Sequence, residues 1–440
     1  MPEVISHTAA TKIAYQPRWL IVEPEPVENG VIELAGDRIT FAGKPEDYSR
    51  AHPDGAGPAE ITRLENRVLF PGLINCHVHT NFPHDTRWEF RRGSMVDWVT
   101  GALAARGKRD ESEQVADITH ALKRLHETAT VALGEISNDF VSLEPILNSN
   151  LICRYFCERF GFPESAAPET YNELSAQITE YNSLIRERLA TDSRHPETVT
   201  LSAAPHAPYS TSAQLIRELA SHGAPETHGA PEALSAIHVA EGAEETELLR
   251  SGGGPWRERL RDIGRDNPDW IAPGLSPMAY LDSIGALNKR MLLVHLTQIS
   301  EDDIELIRAS GASAVLCPLS NSSIGVGTPP LRQLLEAGIP VGLGTDSLAS
   351  NTDLNLFAEM RELRRLNPEI SARVIWNLAT VGGARALRFN QLGSLAPGAS
   401  PGVFSAQFSD GVDIGNAEEL FARLITEGDR QLTMISGARL

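Results

Sequence analysis

The sequence predicts an α/β chain: a (β/α)8 TIM barrel with a small discontinuous β-sandwich domain formed by both termini. Three observations lead there. Residues 67–388 alternate short apolar strands with longer segments of helical periodicity, the pattern of a parallel sheet wrapped by helices. The first 66 residues and the tail from 389 to 440 are instead turn-rich and strand-like. Histidine and aspartate recur where the predicted barrel strands end, which is where such barrels carry their sites. The expected units are therefore 1–66 and 389–440 as the two parts of a β module, and 67–388 as a metal-dependent barrel. A doubly wound open sheet is the alternative, but no GxGxxG follows an early strand.

In chain order, Trp19–Val22, Val31–Leu34 and Arg38–Phe41 read as strands separated by Gly30, Gly36-Asp37 and Gly43-Lys44-Pro45. Barrel strands are expected near 73–77, 129–136, 150–157, 199–205, 235–239, 290–295, 312–316 and 339–345. Helices are expected at Glu113–Thr128, Tyr171–Leu189, Ser212–Ser221, Glu301–Ala309, Pro330–Ala337 and Leu354–Leu366. The first carries Val115, Ile118, Ala121, Leu122 and Leu125 on one face. The stretch 242–289 is too long for an ordinary strand–helix connection and reads as a helix plus an insertion at the barrel mouth, part of a lid.

Composition narrows the function classes. Of 440 residues, 58 are acidic and 39 basic, a formal net charge of −19 that disfavours nucleic acid and anionic membrane surfaces as partners. Cys76, Cys153, Cys157 and Cys317 form no paired framework; Cys153 and Cys157, whose spacing of four could suggest a metal pair, lie within one apolar run, so buried structural thiols are expected there. The N-terminus lacks a basic region followed by an apolar core, and no window approaches a membrane span. A cytoplasmic chain acting on a small molecule is the expectation.

The chemistry centres on Leu69-Phe70-Pro71-Gly72-Leu73-Ile74-Asn75-Cys76-His77-Val78-His79. Residues two apart on a strand share a face, so His77 and His79 form half of a divalent-metal site. Partners follow at other strand ends: His206 between two prolines, His238 and Glu241 three apart, His295, and Asp346 after a glycine-rich strand. Each alone is more often structural, a hydrogen-bonded histidine or a helix-capping aspartate. Their joint occurrence favours a metal site. Neutral imidazoles with a carboxylate suit zinc or iron and leave a position for water, whose pKa such a metal lowers to about 7. A second carboxyl can move protons between water, substrate and leaving group.

These motifs resemble the amidohydrolase superfamily, in the mononuclear-metal branch of cytosine, S-adenosylhomocysteine/methylthioadenosine and aminofutalosine deaminases and chlorotriazine hydrolases. The resemblance covers essentially the whole chain. It implies that His77, His79, His238 and Asp346 hold one divalent metal, with zinc favoured over iron. It makes Glu241 the proton shuttle, Asp346 also the base for water, and His295 the contact to the attacking oxygen. Pro205-His206-Ala207-Pro208-Tyr209 resembles a substrate-contacting motif, and Cys317-Pro318-Leu319-Ser320-Asn321 a segment preceding substrate contacts, which makes His206 and Asn321 candidate substrate-binding residues. The fourth-strand lysine of binuclear members is absent at Ala203-Ala204-Pro205-His206, so a single metal is implied. After Gly398 the usual Lys-Ala-Asp-Leu-type strand is replaced by Ala399-Ser400-Pro401-Gly402-Val403-Phe404.

Trp98 lies where related deaminases place an aromatic over the substrate, with core packing as the competing reading. Glu158 either contacts substrate or pairs with Arg154 or Arg159. Arg87, Arg91 and Arg92 follow the histidine strand and read as a solvated charged face, or as a clamp for a carboxylate tail. The expected activity is hydrolytic deamination of an amino-substituted heterocycle by metal-activated water, with the adenine ring of a modified nucleoside favoured. Hydrolysis of another leaving group, chloride or a cyclic amide, is the alternative. A non-catalytic assembly protein on this scaffold is the remote one. The resemblance also implies a homodimer or larger homo-oligomer.

Overall fold

The computed structural model describes residues 12–53, 60–82, 88–107, 109–192, 195, 198–222, 233–400, 402–408 and 414–436. Chain order begins with an outer sheet. Strands β1 (Lys12–Leu20), β2 (Val27–Glu28), β3 (Val31–Ala35) and β4 (Arg38–Gly43) are followed by helix α1 (Pro45–Ala51) and by β5 (Ile61–Pro71). The barrel follows. Strand β6 (Leu73–His79) leads to α2 (Met95–Arg106) and α3 (Glu111–Glu127), β7 (Thr130–Ser137) to α4 (Leu143–Asn148), and β8 (Ile152–Arg159) to α5 (Ala167–Thr191). Next come β9 (Val199–Pro205), α6 (Ala213–Ser221) and β10 (Ser235–Val239). Three short helices, α7 (Ala243–Ser251), α8 (Pro255–Asp262) and α9 (Pro277–Ser283), precede β11 (Met291–His295). The circuit ends with α10 (Glu301–Ser310), β12 (Ser313–Leu316), α11 (Pro318–Ile324), α12 (Leu331–Glu336), β13 (Val341–Leu343), β14 (Asp346–Ser347) and α13 (Leu356–Leu366). Two strands, β15 (Val403–Gln407) and β16 (Leu432–Ser436), come last.

Every expected barrel strand is present, and all neighbours pair in parallel: β6 to β9 in one run, β10 to β13 in another, with β14 beside β6. The two runs meet where Ser235 Oγ donates to the Ala203 carbonyl at 2.9 Å and the His238 amide to the His206 carbonyl at 2.9 Å. On the other side the last strand breaks at Gly344-Thr345, whose amides donate to the carbonyls of Leu316 at 2.9 Å and His77 at 3.1 Å. A Cβ on Gly344 would lie 2.7 Å from the His77 Cβ, so only glycine allows this close approach.

Helix ends follow capping chemistry that periodicity alone misses. Asp110 and Glu113 form a capping box, which starts α3 two residues before the expected Glu113. Pro168 in the first turn of α5 moves that start back to Ala167. In the 242–289 stretch, Gly252 closes α7 at φ 75°, the left-handed cap that glycine takes without strain, and so allows α8 to begin three residues later.

The tail rejoins the N-terminal sheet, as expected. Strand β15 pairs antiparallel with β5, and the full sheet runs β16-β15-β5-β1-β3-β4, with β2 on β1. Replacement of the usual polar strand by Ser400-Pro401-Gly402-Val403-Phe404 therefore leaves pairing intact from Val403 onward. Strand β5 continues to Pro71, so the outer sheet extends past residue 66. Sheet and barrel share one apolar core: Phe70 of β5 lies 5.3 Å from Trp376 and 6.2 Å from Phe404, centroid to centroid, in a cluster with Ile74, Ile237, Leu293 and Val315. All four cysteines are buried thiols. Among the described residues no helix is long and apolar enough to cross a membrane.

Candidate active site

Strand ends dictate the site. Ala240, His295, Leu296 and Asp346 all take left-handed backbone conformations, with φ of 52°, 80°, 57° and 56°. Non-glycine residues pay about 1–3 kcal/mol for such geometry and keep it only where the surroundings enforce it. Here hydrogen bonds do so. The Gln298 amide donates to the Ala240 carbonyl at 2.9 Å, and the Thr297 hydroxyl to the Glu241 carbonyl at 2.6 Å. Asn75, buried in β6, accepts from the Thr345 amide at 3.2 Å and from the His77 amide at 3.3 Å, and its amide donates to Thr345 Oγ1 at 2.8 Å. One side chain thus holds the first and last strands in register beside the histidines.

The four residues implied as metal ligands converge. His77 Nε2 and His79 Nε2 each lie 3.7 Å from Asp346 Oδ1, and His79 Nε2 lies 3.3 Å from His238 Nε2. Among the described residues, His77, His79 and Asp346 form one candidate metal-holding group, His77, His238 and His295 another, and Glu158, His206 and His238 a third. His77 is 1% exposed, yet neither of its ring nitrogens completes a hydrogen bond. An unsatisfied buried imidazole is costly, and a divalent ion resolves the cost. The donor set fits such an ion: three nitrogens and one carboxylate oxygen. Asp346 is oriented for it, since the hydroxyls of Ser320 and Ser350 donate to Oδ2 at 2.7 and 2.8 Å and leave Oδ1 facing the histidines.

Electrostatics agree. Burial keeps His79 and His77 neutral, as ligands must be. Burial also disfavours charge on His238, but the Glu158 carboxylate at 3.3 Å from Nδ1 overrides it and lifts His238 to about 9. That carboxylate and the His206 carbonyl, 3.1 Å from the same nitrogen, share the Nδ1 proton and turn Nε2 toward His79, the outer support that histidine ligands commonly have; to hold a metal His238 would give up its second proton, on Nε2. Burial raises Asp346 too, but the surrounding imidazoles prevail and hold it well below its ordinary value. Glu241, 3% exposed, is pushed up to about 8 by burial, and its Oε1 lies 3.4 Å from His295 Nε2. His295 is pulled down to about 3 by burial and stays neutral.

A small cavity of about 70 Å³ opens above these groups. His79, His238, Glu241, His295 and Asp346 line its floor, with His206, Glu158 and Asn138 to one side. Met95, Trp98, Val99, Ala102 and Leu103 of α2, with Phe82, give an apolar wall. Trp98 is thus both packed in a satellite cluster and part of the cavity lining, so its two readings coincide. His206 Nδ1 meets Ser210 Oγ at 2.6 Å, and burial lowers its pKa to about 4.

Other expectations shift. Asn321 does not line the cavity. It is 1% exposed, and its Oδ1 meets His295 Nδ1 at 2.9 Å, so it orients that ring from behind instead of contacting substrate. The Glu158 carboxylate pairs with neither arginine; it accepts from Asn138 Nδ2 at 2.8 Å and faces His238, while Arg159 donates to the Glu158 main-chain carbonyl. Arg92 donates to the Ser322 carbonyl and Arg91 lies beside Ser94 and Asp97. Arg87 lies outside the described residues.

Sequence reasoning missed several supports, and most had no signal beyond a polar residue in an apolar run. Glu135 is one, fully buried in β7, accepting from the Thr80 hydroxyl at 2.7 Å and amide at 3.3 Å, just past His79. Burial raises its pKa from 4.5 to about 8. The folded chain keeps this proton to about pH 8, whereas the unfolded chain releases it near 4.5, so the carboxyl's contribution to stability declines between those values. Glu135→Gln, which keeps the acceptor, is expected to melt progressively higher than the parent as pH rises from 5 to 9. A melting difference that stays flat across that range contradicts a neutral buried Glu135.

Sequence comparison places the chain among known proteins. It is 29% identical over 370 residues to an aminodeoxyfutalosine deaminase of Deinococcus radiodurans, covering 81% of each chain. It is 29% identical over 393 residues to a 5-methylthioadenosine/S-adenosylhomocysteine deaminase of Nitratidesulfovibrio vulgaris, covering 84% of this chain and 78% of the relative. The fold matches that of Helicobacter pylori aminofutalosine deaminase in complex with methylthio-coformycin, with a TM-score of 0.78 at 21% identity over 96% of this chain and 98% of that one. Residues 68–438, which hold every polar group of the cavity floor, match the Amidohydrolase family, and the chain belongs to it.

Proposed function

We propose that this chain is a metal-dependent hydrolase that removes the amino group from the adenine ring of a modified nucleoside. The observation that carries the reading is the convergence of His77, His79, His238 and Asp346, with the buried Glu241 beside His295, at one cavity that all of these but His77 line. The deaminases among its relatives support the substrate class. His77, His79, His238 and Asp346 are the residues that hold the metal, zinc by the nitrogen-rich donor set. When bound, such an ion acidifies water so that a nucleophile is available at neutral pH.

The chain's own groups supply the rest. Glu241 holds a proton near neutrality and gives it to a ring nitrogen, which makes the adjacent carbon electrophilic. Asp346, ionised and with Oδ1 turned inward, accepts a proton from the attacking water. Neutral His295, oriented through Nδ1 by Asn321, contacts the oxygen as it adds. The departing amine takes the proton that Asp346 received and leaves as ammonia, and the added hydroxyl returns its proton to Glu241 as it becomes the ring carbonyl. His206, Trp98 and Glu158 contact the substrate from the cavity sides.

The test is ammonia release by zinc-loaded protein offered adenosine, methylthioadenosine, S-adenosylhomocysteine, aminofutalosine, cytosine and guanine. Release from one adenine nucleoside, abolished by a chelator and restored by zinc, is the expected result. Silence on the adenine nucleosides, with full metal by elemental analysis, moves the assignment to another ring or leaving group.

A further inference from the structure

The Glu241 side chain can act only if its backbone stays where it is, and that backbone is held unusually. Ala240 sits at φ 52°, immediately before Glu241, at the point where β10 turns into α7. Helix α7 begins without side-chain capping, because Gly242 occupies the cap position and has no side chain to offer. The third helical residue, Glu245, reaches back past the cap instead: its Oε2 accepts from the Glu241 amide at 3.2 Å. Glu245 is 1% exposed, which is rare for a glutamate with no basic partner. From the opposite side, Thr297 and Gln298 hold the carbonyls of Glu241 and Ala240. Those two residues lie just beyond Leu296 after the strand that ends in His295, whose ring faces Glu241.

We infer that Glu245 is a positioning residue for the reaction. By gripping the Glu241 amide it locks the left-handed turn, and so fixes the 3.4 Å relation between the Glu241 carboxyl and His295. This rests on the deaminase reading, since it assigns Glu245 a role through Glu241. Loss of the grip frees the turn to relax toward ordinary backbone geometry and displaces the proton shuttle, while metal ligands on other strand ends keep their places. Misplacement of a reacting group by about 1 Å lowers turnover by about 100-fold without weakening substrate binding comparably.

The test compares Glu245→Leu, Glu245→Gln and Glu241→Gln in the zinc-loaded full chain, with metal content and melting temperature measured for each. Glu245→Leu keeps the volume and removes the acceptor. It is expected to lower kcat about 10- to 100-fold, with KM little changed and metal content at the parental level. Glu245→Gln keeps a carbonyl acceptor and is expected to recover most of that loss. If the leucine variant does not fold, Glu245→Ser, too short to reach the amide, takes its place with the same expected split. Should Glu241→Gln be inactive while the leucine or serine variant keeps the parental kcat, this inference fails and the deaminase reading stands. Should Glu241→Gln itself keep the parental kcat, the deaminase reading fails and this inference with it.

Discussion

Glu241→Gln is expected to bind zinc at the parental stoichiometry, melt near the parental temperature, and lose about 100- to 10,000-fold in kcat, the range that a positioned acid–base group contributes. The fold is expected to tolerate the change because the glutamate is already neutral near pH 7: burial has pushed it up to about 8, so an amide of the same shape replaces a carboxyl that carries little charge. The metal is expected to remain because Glu241 belongs to none of the three candidate metal-holding groups and faces His295. What disappears is the transferable proton. An amide can donate a hydrogen bond to a ring nitrogen but cannot give the proton up and take another from the added hydroxyl. Single-turnover ammonia release, measured beside zinc content, tests this. Near-parental turnover with full metal would falsify the role given to Glu241.

Asp346→Asn is expected to separate the fold from the metal. Two serine hydroxyls address Oδ2, and hydroxyls can reverse from donor to acceptor, so the asparagine can be accommodated in the same rotamer. The other three implied ligands are imidazoles, so the aspartate supplies the set's one negative charge. Its loss is expected to weaken zinc binding by more than the roughly 10- to 100-fold typical when only a supporting partner of a ligand is removed. Turnover falls with it, for both the metal and the acceptor of the water's proton are compromised. Zinc retention after dialysis against a competing chelator, compared with Ser350→Ala as a milder control, measures the effect. Retention of zinc and turnover at parental levels excludes Asp346 as a ligand.

Much of this architecture was legible because barrel strands announce themselves twice, as short apolar runs and as runs that end in a polar group. Met291-Leu292-Leu293-Val294-His295 is such a strand, and its limits agree with expectation to within a residue. The proposed ligand set was noticed for the same reason, its members standing at or within two residues of strand ends. Asn321 was misread because sequence gives a residue's place along an element but not which side of a neighbouring ring it approaches. The ion-pair partner of Glu158 was not legible because its flanking arginines are near in sequence but do not reach its carboxylate, whereas His238, two strands away, does. Glu135, Asn75 and Glu245 stayed invisible because their partners are main-chain amides and hydroxyls, which leave no complementary residue in the sequence to search for.

The α2 wall and the strand-end floor are attached to the fold by different means. The floor is woven from main-chain bonds between barrel strands, whereas α2 is moored at its N-terminal end. Glu244 accepts there from Ser94 Oγ at 2.9 Å and from the Val96 amide at 3.0 Å, and the Gly93 amide reaches the Ile324 carbonyl at 2.7 Å. Beyond that mooring the helix meets the cavity through side chains alone, Trp98, Val99, Ala102 and Leu103, none of which bonds to a proposed ligand or proton carrier. Such a panel can be recut one residue at a time while the machinery beneath keeps running.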